Sequence, residues 1–208
     1  MSEITMSMIK ELRERTGAGI MDCKAILKET DGDMDKAVEL LRKKRADIAD
    51  KKAHRDAKEG MVGSYLHVRS DGGVPSIGVM AEVNCETDFA AKTDAFKEFV
   101  NNLCLHIAAA SPRWKDAEEI PEEALADEKK MFMEQLKESG KPENILEKIV
   151  EGKMKKWYSE NCLLEQIYAL AQDKSEQVSI AAMMKNVAGT LGENVSIRRF
   201  VRFDLTGE

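Results

Sequence analysis

Glu86-Thr87-Asp88-Phe89 puts two carboxylates, a hydroxyl and a phenyl ring into four consecutive residues, after an apolar alternating run that ends Val83-Asn84-Cys85. Two chemistries suit these side chains. In the first, Thr87 or Asp88 caps a helical turn and Phe89 folds back on the core. In the second, the ring stands at a strand-to-helix junction, which lies at the surface, and plugs into a pocket on another protein. Taken alone, the run favours capping.

Bond-making chemistry finds less support. The chain has neither a Gly-x-x-x-x-Gly-Lys-Ser/Thr nor a Gly-x-Gly-x-x-Gly sequence, so no nucleotide cradle is visible. His-Glu-x-x-His and Gly-x-Ser-x-Gly are also missing. His106 with Cys104 or Cys85 would need a third, orienting group that the sequence does not identify. His106 stands on the flank of an apolar helix face and reads first as a structural histidine. Cys23, Cys85, Cys104 and Cys162 are widely spaced, with no Cys-x-x-Cys pair, as expected of reduced cytosolic thiols. His54, His67 and His106 lack metal-ligand spacing, so neither metal nor cofactor is expected.

Composition narrows the class further. The 208 residues are 43% hydrophobic and 34% charged, enough apolar chain for one sizeable core or two small domains under a heavily solvated, helix-rich surface. The net charge is −6. The pI near 5.3 argues against affinity built on many phosphate contacts. No apolar run is long enough to span a membrane. The N-terminus has neither an apolar signal region nor an Arg-rich leader, and the expected location is the cytoplasm.

The elements that must position these residues follow from the periodicity. Residues 4–42 read as three short helices. Ile9 and Leu12 mark the first, and Thr16-Gly17-Ala18-Gly19 breaks it. Ile20, Cys23 and Leu27 share a face of the second. Asp33 caps the third, which carries Met34, Ala37, Val38 and Leu41. Residues 43–59 form an exposed helical linker of interleaved bases and acids. The basic residues from Arg42 through Lys58 and the basic stretch Lys153–Lys156 sustain an alternative function, a non-catalytic RNA- or ribosome-associated protein.

A hairpin then spans 61–84. Val62, Leu66 and Val68 share one face of its first strand, and Ser70-Asp71-Gly72-Gly73 turns it. Ile77, Val79, Ala81 and Val83 form the buried face of its second strand. A third strand places Val195, Ile197, Val201 and Phe203 on one face. Between the strands, Thr93 or Asp94 caps a helix bearing Phe96, Phe99, Val100, Leu103 and Ile107. Residues 121–138 and 142–158 make a helical hairpin turned at Ser139-Gly140-Lys141-Pro142, with Ile145, Ile149, Met154 and Trp157 along the second arm. A last helix covers about 178–191. The expected class is α+β: a three-helix bundle over 1–42, a charged linker over 43–59, and a core over 60–208. That core holds a three-stranded, mostly antiparallel sheet and the helical hairpin.

Four blocks together carry a resemblance: Leu12-Arg13-Glu14-Arg15-Thr16-Gly17-Ala18-Gly19-Ile20-Met21-Asp22-Cys23-Lys24, Val83–Phe89, Glu151-Gly152-Lys153-Met154-Lys155-Lys156, and Gly192-Glu193-Asn194-Val195-Ser196-Ile197-Arg198-Arg199. In this order, over residues 3 to 203, they resemble the bacterial translation elongation factor Ts family. The resemblance implies a ubiquitin-associated-type N-terminal bundle. It implies a guanine nucleotide exchange factor, without bond-making chemistry or a cofactor of its own, that acts on elongation factor Tu. Asp88 and Phe89 would then enter the partner near its magnesium site, with Thr87 shaping the turn. Ile20, Met21 and Lys24 would grip the nucleotide domain from another side, and His106 matches a segment implicated at the interface. Longer family members carry two related core subdomains. The single sheet expected here is similar to the shorter members, which pair as homodimers, so a homodimer without membrane or direct nucleic-acid contact is expected.

Overall fold

The computed structural model describes residues 4–68, 72–137, 143–171 and 177–205. Two expected features lie outside them: the first half of the hairpin turn, Ser70-Asp71, and the helix-hairpin turn, Ser139–Pro142.

Helices α1 (Met6–Thr16), α2 (Ile20–Glu29) and α3 (Met34–Lys52) come first. The Thr5 hydroxyl caps α1 by accepting from the Met8 N–H at 3.3 Å. Gly17 ends it with φ of 65° while donating to the Arg13 carbonyl, a conformation in which a Cβ is strained. Asp33 caps α3 through the Lys36 N–H, as expected. Ile9, Leu12, Cys23, Ile26, Leu27, Ala37 and Leu41 are the buried centre of this bundle, with Met34 and Val38 packed against it. Ile20 departs from the expected face and is exposed, because Ile26 rather than Ile20 joins Cys23 and Leu27 inside. Helix α3 continues through most of the stretch read as linker, and one of its bases is far from solvated. Arg45 is 5% exposed and donates to the Thr16 carbonyl at 2.8 Å and the Asn186 side-chain oxygen at 2.9 Å.

Strands β1 (Glu59–Val68), β2 (Pro75–Cys85) and β3 (Val195–Asp204) form one antiparallel sheet in the order β1-β2-β3. Together with the helices they make the α+β class expected. Val79, Ala81, Val83 and Cys85 of β2 are buried, and Met80 between them is exposed, as period-two alternation requires. Two other strands correct the sequence reading. Val62, Leu66 and Val68 of β1 do share a face, but it is an exposed one. In β3, Val195 and Ile197 are buried whereas Val201 and Phe203 are exposed. The consecutive exposed residues Arg198 and Arg199 shift the alternation by one position, as a bulge would.

Helix α4 (Asp88–Ala91) follows β2, then α5 (Asp94–Ala110). The Thr93 hydroxyl caps α5 through the Phe96 N–H, and Phe96, Phe99, Val100, Leu103 and Ile107 are buried as expected. Helices α6 (Glu122–Lys137) and α7 (Glu143–Asn161) pack on each other. The buried stripe of α7 is Leu146, Val150, Met154 and Trp157, with Ile145 exposed. The helical face is therefore rotated by one residue from the expected Ile145 and Ile149. Helix α8 (Ile180–Leu191) precedes β3.

By backbone proximity the chain divides into two units. One comprises residues 1–63, 82–101 and 182–198, and the other residues 64–81, 102–181 and 199–208.

Candidate partner-binding site

Helix α4 is a single turn, too short to persist without anchors. Its N-cap is Thr87, whose hydroxyl accepts from the Ala90 N–H at 3.2 Å. At its other end the Thr93 hydroxyl donates to the Ala90 carbonyl at 2.7 Å. Ala90 faces inward at 5% exposure, and Phe89, one position earlier, is 79% exposed. Half of each reading made from the sequence therefore holds: Thr87 caps, and the ring does not fold back. Asp88 pairs with Lys92 at 2.5 Å, and the Lys92 ammonium stands 5.8 Å from the centre of the Phe89 ring. Hydrogen bonding from Lys92 is the main reason the Asp88 carboxyl lies below its usual range, so the loop presents an ionised acid beside an apolar ring.

The loop is held from behind by residues that sequence reasoning did not single out as functional. Helix α8 ends at Gly192, in the left-handed region at φ 67°, and the next residue is Glu193. One oxygen of the Glu193 carboxylate accepts from the backbone N–H of Glu86 at 3.1 Å and of Thr87 at 3.0 Å. The other accepts from the Thr87 hydroxyl at 2.7 Å. The arrangement is returned in the opposite direction. Glu86 accepts from the Asn194 N–H at 2.7 Å and pairs with Arg55 at 3.3 Å. The Asn194 N–H is the main cause of the lowered pKa of Glu86. The Asn194 side-chain amide then donates to the carbonyls of Arg55 at 2.6 Å and Ala53 at 3.3 Å. The only signal for this clamp in the sequence was that Glu86 and Glu193 each fall inside a block that carried the resemblance.

Ile20 and Met21 open α2 with 48% and 76% exposure, and Lys24 one turn on is exposed as well. They lie in the same unit as Thr87, Asp88 and Phe89. His106 lies in the other unit and is fully buried. Its Nδ1 accepts from the Ala169 N–H at 3.1 Å, so Nε2 carries the proton and donates to the Gln166 side-chain oxygen at 2.8 Å. Burial holds its pKa below the ordinary histidine value. Here the structural reading of His106 fits, and no surface of the ring is open to a partner.

All four cysteines are buried and unpaired. Burial raises each thiol pKa, to about 11 for Cys104 and Cys162, the reverse of what an activated nucleophile needs. Several of the linker bases are engaged too: Lys44 with Glu29, Arg55 with Glu86, Lys58 with Asp56, and Lys52 with the Gly192 carbonyl. Among the described residues no group of three or more His, Cys, Asp or Glu side chains can hold a metal ion. Among them, too, no helix is long and apolar enough to cross a membrane.

Comparison with known proteins finds similarity over nearly the whole chain. A family model described as Elongation factor TS matches residues 21–179. The chain is 51% identical over 203 residues to a protein of Fervidobacterium nodosum named Elongation factor Ts, covering 98% of both chains. It is 46% identical over 200 residues to the Elongation factor Ts of Thermosipho melanesiensis, covering 96% of this chain and 97% of that one. With the Elongation factor Ts of Geobacter sulfurreducens it shares 50% identity over 202 residues, covering 97% and 89%.

Proposed function

The chain belongs to the elongation factor Ts family, and on that premise we propose that it is a guanine nucleotide exchange factor that releases GDP from elongation factor Tu during translation elongation. The observation that carries this reading is Phe89, 79% exposed on a capped single turn, with the ionised Asp88 beside it. Exchange requires no bond chemistry. A GTPase holds GDP through a phosphate-cradling loop and a magnesium ion. A factor that binds best when those contacts are disturbed weakens GDP, and by linkage GDP weakens the factor by the same ratio. The factor therefore speeds exchange and leaves the final nucleotide equilibrium unchanged.

In this reading Phe89 enters the partner beside its magnesium site and Asp88 opposes the groups around the metal. Ile20, Met21 and Lys24 contact the nucleotide domain from the exposed start of α2. Burying one phenyl ring contributes about 1.5–3 kcal/mol, the scale of an interface hot spot. His106, being buried, would act through the 166–169 segment that it holds. The protein needs no cofactor of its own and works in the cytoplasm. Its N-terminal bundle is of the ubiquitin-associated type.

The same reading makes the protein a homodimer. The sheet face turned away from α5 exposes Leu66, Val68, Met80 and Phe203. Leu66 and Gly78 share that face, and Arg202, donating to the Ala108 carbonyl of α5, marks the opposite one. A contiguous apolar face suits a second copy.

The test is release of fluorescent GDP from purified elongation factor Tu, with and without this protein. Catalytic amounts should accelerate release strongly, and Phe89→Ala should remove most of the effect. An unchanged rate with Phe89→Ala would remove the ring from the mechanism.

A further inference from the structure

The clamp behind the loop has no counterpart in the exchange chemistry itself, yet its geometry is specific. Glu193 offers one carboxylate to three donors, two of them backbone N–H groups that precede a helical turn of only four residues. Backbone groups at a strand-to-helix junction must find partners or remain hydrated and mobile. In this chain they are taken by a side chain 106 to 107 positions later. Glu193 is itself fixed by the left-handed Gly192 that ends α8, and Glu86 returns a hydrogen bond to the next residue, Asn194. Two short segments far apart in sequence are thus joined by two carboxylates, each accepting from backbone N–H groups of the opposite segment. Phe89 lies two residues beyond the last clamped N–H. With its ring in solvent, Phe89 receives little anchoring from its own packing, so its direction depends on how firmly Glu86 and Thr87 are held.

We propose that Glu193 is a positioning residue for partner recognition: its carboxylate pre-organises the 86–89 loop so that Phe89 is presented in a binding-ready conformation. The proposal rests on the exchange-factor reading above. A loop that is ready only part of the time binds with an affinity lowered by that fraction. Loss of the clamp therefore raises the concentration of factor needed for half-maximal GDP release. Once bound, the loop is ordered by the partner, and the maximal rate persists. Removing the Phe89 ring differs in that the maximal rate itself falls, because the contact is gone even in the bound state.

Glu193→Ala and Glu193→Gln test this by two measurements on the full chain. Amide hydrogen exchange of the free protein reads the clamp directly. Exchange at Glu86 and Thr87 should speed up in both variants, more in Glu193→Ala, with the α1–α3 amides unchanged. Titration of each variant against elongation factor Tu carrying fluorescent GDP reads the consequence. The half-maximal concentration should rise about tenfold for Glu193→Ala, as it does when only a tenth of the loops are ready. Glu193→Gln, which keeps an acceptor oxygen and loses the charge, should fall between it and the parent. Faster amide exchange with an unchanged titration overturns the positioning role. A lost maximal rate at an unchanged half-maximal concentration overturns it too, since Glu193 would then act on the partner itself. If Glu193→Ala does not fold, the same two outcomes are read on Glu193→Gln. A parent protein that fails to accelerate GDP release overturns the exchange reading and this role together, whereas an active parent with fully active variants overturns this role alone.

Discussion

A phenyl ring that is 79% exposed contributes almost nothing to the chain's own burial. Phe89→Ala is therefore expected to unfold within about 0.5 kcal/mol of the parent while losing most GDP-release activity. Thermal melts beside the release assay check both halves. His106 is the opposite kind of residue, with no exposed surface. His106→Leu leaves the buried Gln166 oxygen without its partner, at about 1–3 kcal/mol. Its titration also predicts a sign. The unfolded chain protonates this histidine near pH 6.5, but burial holds the folded pKa lower. Between those values the unfolded state binds more protons, so stability is full above about pH 6.5 and falls as pH drops toward the folded pKa. Urea midpoints between pH 7 and 5.5 should decline in the parent and decline less in His106→Leu. The sequence made Thr87, Asp88 and Phe89 legible because their types and order are unusual at a strand end. It did not reveal that Thr87 caps while Phe89 points outward, because which way a ring turns is settled by what packs beneath it.

At the scale of elements, most helices were legible and their faces less so. Asp33, Thr93 and Gly17 mark helix ends through local hydrogen bonds and local φ, and sequence carries that information directly. Faces depend on the neighbour, which is why Ile20 is exposed while Cys23 and Leu27 are buried, Ile145 is exposed while Met154 and Trp157 are buried, and Val201 and Phe203 do not share the buried face of Val195 and Ile197. Helices α3 and α8 illustrate the dependence. A Cβ added to Gly189 would sit 2.5 Å from the Cα of Arg45, so these two backbones approach as closely as they do only because residue 189 lacks a side chain. Gly189→Ala should cost about 1–3 kcal/mol through overpacking, despite raising helix propensity. A stabilised Gly189→Ala protein in chemical denaturation would contradict that close approach. Arg45 depends on the same neighbourhood. It reads as one charge among many in a basic run, and the structure spends its guanidinium on Thr16 and Asn186.

For the whole molecule, the exposed face of Leu66, Val68, Met80 and Phe203 makes a specific claim about assembly. The parent is expected to scatter light as twice its 23.3 kDa chain at micromolar concentration, and Leu66→Asp or Phe203→Asp as a single chain. A parent that is monomeric there would contradict the homodimer. By itself the sequence determined the α+β class, the order of helices and strands, the absence of a visible nucleotide cradle, and, through four ordered blocks, the family. These depend on local propensity, on period, and on residue identity along the chain. Only the tertiary structure decided that Phe89 faces solvent, that His106 is sealed, and that the apolar side of β1 is the open one. It alone brought Glu193 to the amides of Glu86 and Thr87. Each of these is a relation between residues about 60 or more positions apart, or between a side chain and whatever covers it. Such relations come into being only when the core closes, and no local pattern in the chain encodes them.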